Sequence, residues 1–158
     1  MNPTQVLLLA FLIGVITGLR SLTAPSVVAW AAHQGWINLH GSPLSFMGST
    51  AALILFVLLA IGELVADKLP ATPNRTAPVG LIARVLVGAL CGACLAVAGG
   101  QSLAIGAVAG IAGAVAGAFG GYQVRSRLVK AVKVPDLAIA LAEDIVAIAG
   151  GLFIVSRF

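Results

Sequence analysis

Leu137–Val155, LAIALAEDIVAIAGGLFIV, is apolar along its whole length except for two adjacent carboxylates, Glu143 and Asp144, near its middle. A run of this kind is long enough to cross a bilayer, which takes about 20 residues. On insertion scales a central Asp costs about 2.5 to 3.5 kcal/mol, while each Leu, Ile, Val or Phe returns about 0.3 to 0.6. With Glu comparably costly, the pair about cancels the large apolar residues around it. The segment therefore predicts a membrane helix that is stable only where neighbouring helices shield its acids, and it marks an intramembrane polar site.

The rest of the chain agrees. Of its 158 residues 60% are hydrophobic and 9% charged, and the mean hydropathy is +1.11, far from the balance of a soluble domain. The length allows about four to six spans and no sizeable soluble domain, so residues 1–158 are expected to form one transmembrane domain. The apolar runs are continuous and rich in Ala and Gly, unlike the alternating segments of a membrane barrel. The expected fold is all-α, a polytopic bundle of about five transmembrane helices. Met1–Gly18 has no Lys or Arg ahead of its apolar stretch and reads as a span rather than a cleaved leader. Cys91 and Cys94 lie inside an apolar run without a second Cys or His pair nearby, so they read as small packing residues, and no metal or cofactor is expected.

Five runs are readable. The first, Val6 to about Ala31, is interrupted by GLRSLTAP, Gly18–Pro25, where Pro25 removes a donor and predicts a kink or break near Arg20 to Pro25. The loop Ala32–Ser45 lacks Lys and Arg and is flanked by Trp30 and Trp36, as at an outer interface. A second span runs from Phe46 to about Ala66 and ends at Asp67, Lys68 and Pro70; Arg75 lies in the connector that follows. The third covers Val79–Ala98, the fourth about Leu103–Gly121, and the fifth ends near Ser156. Between the last two, Arg125, Arg127, Lys130 and Lys133 accompany an apolar face of Val124, Leu128, Ala131 and Val132, the pattern of an interfacial amphipathic helix. Although the calculated pI is about 9.7, the basic residues fall mostly in loops, where they report topology rather than nucleic-acid binding. They place the connector after the second span and the loop after the fourth in the cytoplasm. The N-terminus then lies inside if the first run is one kinked span, and outside if it is a re-entrant pair.

In the fourth span Gly106, Gly110, Gly113, Gly117 and Gly120 recur at spacings of four and three, which lines them along one seam for close helix packing. Ala140, Asp144, Ala147 and Gly151 form a similar stripe in the fifth. Asp144 is thereby aimed at a neighbouring helix, and Glu143, about 100° around, at a different one.

The other charged groups in or at the ends of spans are Arg20, Glu63, Asp67 and Arg84. Glu63 and Asp67 share a helix face. Across the connector one of them, Glu63 or Asp67, is expected to meet Arg84 on an antiparallel neighbour. Arg20 sits beside Ser21 at the expected break, where freed backbone groups can bind ions or polar solutes, and is expected to contact Glu143 or Asp144. A GxxxG, then Arg-Ser, then a later acid occurs twice, as Gly14, Gly18, Arg20-Ser21, Glu63 and as Gly117, Gly121, Arg125-Ser126, Glu143. With one span separating the two units, such a duplication is expected to be inverted in the membrane. His33 and His40 lie in the outer loop, and a Ser-His pair from Ser21 or Ser26 with His33 is the one enzyme arrangement the residues offer; no HExxH or GxSxG occurs.

GLRSLTAP (Gly18–Pro25), GELVADKLP (Gly62–Pro70), Arg75 between prolines and GLIARVLVGALCGA (Gly80–Ala93) resemble the bacterial membrane proteins of the domain of unknown function 4126 family. The resemblance implies a small multi-pass inner-membrane protein and brings no established activity. The residues themselves favour a small transporter or channel-like protein, working as a homo-oligomer, with Arg20, Ser21, Glu63, Asp67, Arg84, Glu143 and Asp144 as its polar site or path. Since acids outnumber cations in that set, a cation or proton is the expected passenger. The rival is a structural or assembly protein whose charges lock helices and whose glycine stripe docks a partner span, and an intramembrane enzyme is a third, minor reading.

Overall fold

A computed structural model describes residues 1–66, 77–132 and 136–158, the side chains of 129–132 and 136–137 excepted. Asp67, Lys68, Pro70, Arg75, Lys133 and Pro135 lie outside the described residues. Among these there are six α-helices and no strand: α1 (Pro3–Leu19), α2 (Thr23–His33), α3 (Thr50–Ala66), α4 (Pro78–Ala98), α5 (Leu103–Val132) and α6 (Asp136–Val155). Three helical stretches are long and apolar enough to cross a membrane: Pro78–Ala98, Leu103–Leu128 and Ala138–Val155. Helices α1 and α3 are apolar and shorter. At about 1.5 Å per residue, 17-residue α1 still covers about 25 Å, most of a hydrocarbon core of about 30 Å.

Local signals set the helix ends. Asn2 caps α1, its side chain accepting from the Thr4 N–H at 3.0 Å while Gln5 accepts from the Asn2 N–H, and Pro3 opens the helix. Pro78 opens α4. Gly100, at φ +72°, turns the chain from α4 into α5, with the Gln101 N–H closing onto the Ala96 carbonyl at 2.7 Å.

Packing contacts give the direction of each helix. Against α5, Gly14 meets Gly110 and Gly18 meets Ala114 and Gly117, so α1 and α5 run parallel. Gly88 meets Gly110 while Gly92 meets Gly106, so α4 is antiparallel to both. Along α6, Arg20 lies at Asp144, Ile16 at Gly150 and Val27 at Gly151. Chain numbers fall along α1 and rise along α2 as α6 is followed, which means that α2 turns back at Arg20–Leu22. The first apolar run is thus a re-entrant pair rather than one kinked span. Helices α1, α4 and α5 form the tightest cluster, and α2 lies between α3 and α6. The N-terminus shares an end of the molecule with the Gly99–Gly100 turn, where Val6 abuts Gly99, and the basic part of α5 is at the other.

Three expectations change with this topology. Among the described residues, helices α3 and α4 are not the packed neighbours that their sequence adjacency suggested, because α3 lies on α2. The basic amphipathic stretch after Gly121 continues α5 without interruption to Val132, as no Gly or Pro intervenes to break it. With α1 and α5 parallel, the two GxxxG and Arg-Ser units are not an inverted pair.

The glycine stripe is a packing surface divided between two partners. A Cβ at Gly106 or Gly110 would strike α4 at Ala96, Gly92 or Gly88; one at Gly113 or Gly117 would strike the α1 backbone at Phe11 or Val15. These contacts explain why glycine is required at those four positions. Gly120, by contrast, has open space where its Cβ would be.

Candidate functional site

The turn from α1 to α2 leaves the last carbonyls of one helix and the first N–H groups of another without intrahelical partners inside a bundle. A backbone donor closes the carbonyl end, and an acidic side chain meets the N–H end with the sign it requires. Arg20 caps α1 in an extended conformation (φ −139°, ψ 110°), and its N–H bonds the Ile16 carbonyl at 2.8 Å. Glu63, from α3, covers the start of α2. Its Oε1 accepts from the Ser21 N–H at 2.8 Å and from the Ser21 hydroxyl, and its Oε2 accepts from the Leu22 N–H at 2.8 Å. A carboxylate holding two backbone N–H groups and a hydroxyl is well compensated for its loss of water.

Asp144 brings the third element in. Its Oδ1 lies 2.5 Å from Nη2 of Arg20, with side-chain exposures of 9% and 0% respectively. This is an ion pair without water at the arginine, the arrangement in which removing one partner is costly. Glu143 points elsewhere, its Oε2 lying 3.7 Å from Nη1 of Arg125 on α5. The two adjacent acids of α6 thus serve two different helices. Arg84, also buried, donates to the Gly80 carbonyl at 3.0 Å. It stands one turn beyond Gly88, at the level of Gly18 and the break.

Glu63, Arg84, Arg20, Asp144 and Glu143 consequently form one charged layer about 25 Å below the start of α1, into which Arg125 reaches from about two turns further along α5. Arg20 and Asp144 are brought together, and Ser21 and Glu63 are brought together; of the two acids expected at Arg84, Glu63 is engaged at the start of α2. Asp67 lies outside the described residues. Two contributors were missed from sequence: the Ser21–Leu22 backbone as the ligand of Glu63, and Arg125 as the partner of Glu143. The recurrence of Arg-Ser followed by an acid was the available signal for both. With Arg125 in the layer, the described acids no longer outnumber the described cations.

Ser21 is engaged with Glu63, Ser26 donates to the Thr23 carbonyl at 2.7 Å, and Nδ1 of His33 lies 3.1 Å from the Gly48 carbonyl oxygen. The serines and His33 therefore have separate partners. His33 and His40 border one cleft of ≈ 490 Å³ in the loop between α2 and α3. Among the described residues no group of three or more His, Cys, Asp or Glu is placed to hold a metal ion.

The family described as "Domain of unknown function (DUF4126)" matches residues 7–156. The chain belongs to the DUF4126 family. Neither a curated protein nor a solved structure matches it. In this DUF4126 chain the matched region takes in the broken α1–α2 pair, Glu63, Arg84 and the acidic pair of α6. What the layer does has to be argued from its own chemistry.

Proposed function

We propose that this protein is a small inner-membrane transporter or channel-like protein that moves a small ion or polar solute past the α1–α2 turn. The observation that carries this reading is the convergence of carboxylates from two helices, Glu63 of α3 and Asp144 of α6, on a helix break inside an apolar bundle. Broken helices inside membrane proteins accompany solute and ion sites, and ionisable groups in spans default to function. Asp144 is the switch in this scheme. A passing cation that displaces Arg20 from its carboxylate loosens the hold of α6 on the turn. By the loop-charge criterion the basic end of α5 faces the cytoplasm, so the N-terminus, at the opposite end, lies outside. A single chain this small has little room to enclose a path, so the working unit is a homo-oligomer.

The test is flux in proteoliposomes under imposed pH and voltage gradients. Wild-type protein should conduct protons or small ions or take up a polar solute, and Asp144→Asn and Glu63→Gln should lose that flux while remaining helical and monodisperse. Undiminished flux in both variants overturns the reading.

One observation favours a second reading, in which the charges only lock helices: Arg20 has no exposed surface. A purely structural role predicts no flux in any gradient, together with loss of thermal stability in the same variants.

A further inference from the structure

Helices α5 and α6 touch over a small area only, and a cleft of ≈ 340 Å³ opens between them on the basic side of the break. Its walls are Leu19, Val124, Leu128, Ile139 and Val146, with Arg125 among them. Glu143 is the acid in the lining, and it is already in contact with Arg125. The Arg125 side chain is 24% exposed and stands about 10 Å further along α5 than Ala118, which meets Gly18. That puts it about 33 Å from the start of α1, where the hydrocarbon of a bilayer gives way to headgroups. Arg127 is exposed on the flank of the same stretch, and Lys130 and Lys133 follow in sequence.

An apolar slot within lipid, ending in cations at headgroup depth, is complementary to one class of molecule. We propose that this cleft holds an acyl chain of an anionic phospholipid whose phosphate is bound by Arg125. Basic pockets between transmembrane helices take anionic headgroups on just these grounds, the chain supplying apolar burial and the phosphate meeting guanidinium donors. The bound lipid fills the space that α5 and α6 leave open and ties the Arg125–Glu143 contact to the composition of the surrounding leaflet. The proposal is independent of whether the break conducts.

Native mass spectrometry and thermal unfolding of the purified protein test it, with phosphatidylglycerol and phosphatidylcholine of identical chains as probes. Phosphatidylglycerol should be retained and should raise the unfolding temperature more than phosphatidylcholine. Arg125→Gln should lower that preference about fivefold, the scale of one surface cation. Val146→Trp, at a 58% exposed position, should fill the cleft and remove retention without loss of helicity. Equal retention of the two lipids by wild type indicates ordinary annular lipid and overturns the proposal, as does unchanged retention in Val146→Trp. So does intermolecular disulfide formation by Val146→Cys in phosphatidylglycerol bilayers, which would make the cleft an interface between copies.

Discussion

The glycine-packed part of the bundle and the charged layer around Arg20 hold the same helices together by opposite means. Where α1, α4 and α5 cross, Gly14, Gly88, Gly92, Gly106, Gly110, Gly113 and Gly117 bring backbones into direct contact, and stability comes from close approach with no charge to compensate. About one helix turn past Gly18 the contacts become ionic, with Arg20 on Asp144, Glu63 on the start of α2, and Arg125 on Glu143. Close packing of small residues allows no second arrangement at similar cost. An ion pair can be opened by a competing ion, which is why the proposed function is placed at the charged layer.

The largest effect is expected from Asp144→Ala, which takes the carboxylate from a fully buried arginine and should destabilise the fold by about 3 to 5 kcal/mol in reversible detergent unfolding. In Arg20→Met/Asp144→Leu the same charges vanish together, so stability should return to within about 1 kcal/mol of wild type; a double variant as unstable as Asp144→Ala would show that the turn needs the pair itself. Next comes Gly110→Ala, whose new methyl would meet the Gly88 carbonyl. A loss of about 1 to 3 kcal/mol is expected from overpacking, read as a lower unfolding temperature. Glu63→Gln keeps one acceptor for the α2 N–H groups and loses the charge, which should cost about 1 to 2 kcal/mol and show as faster amide exchange at Ser21 and Leu22. The smallest effect belongs to Gly120→Ala. Open space surrounds that position, and the unfolding temperature should move by no more than about 0.5 kcal/mol equivalent in either direction. A large loss there would mean that the stripe is also used between copies.

Much of this division was legible in the sequence. Glu143 and Asp144, in the middle of an apolar run, had to be shielded, and their 100° separation assigned them to different neighbours. Gly18, Arg20 and Pro25 located the break, and the four-three glycine spacing of α5 identified a packing surface. What remained hidden depends on tertiary choices. A Pro-marked break reads the same whether the chain kinks or turns back, and only the contacts of Arg20 and Val27 along α6 separate the two. A short connector pointed to Glu63 or Asp67 at Arg84 without saying which; the returning α2 packs on α3 and offers Glu63 two N–H groups that bind a carboxylate as well as a cation does. The seam of α5 suggested one partner, but an α-helix drifts relative to a strict 3.5 repeat, and two helices divide it.

Arg20→Met/Asp144→Leu also gives the most direct measurement, since it separates holding the helices from moving something between them. Reconstituted beside wild type and assayed for flux under imposed pH and voltage gradients, a path gated at the break predicts a folded, stable double variant with no flux. A double variant that carries the same flux as wild type would contradict it.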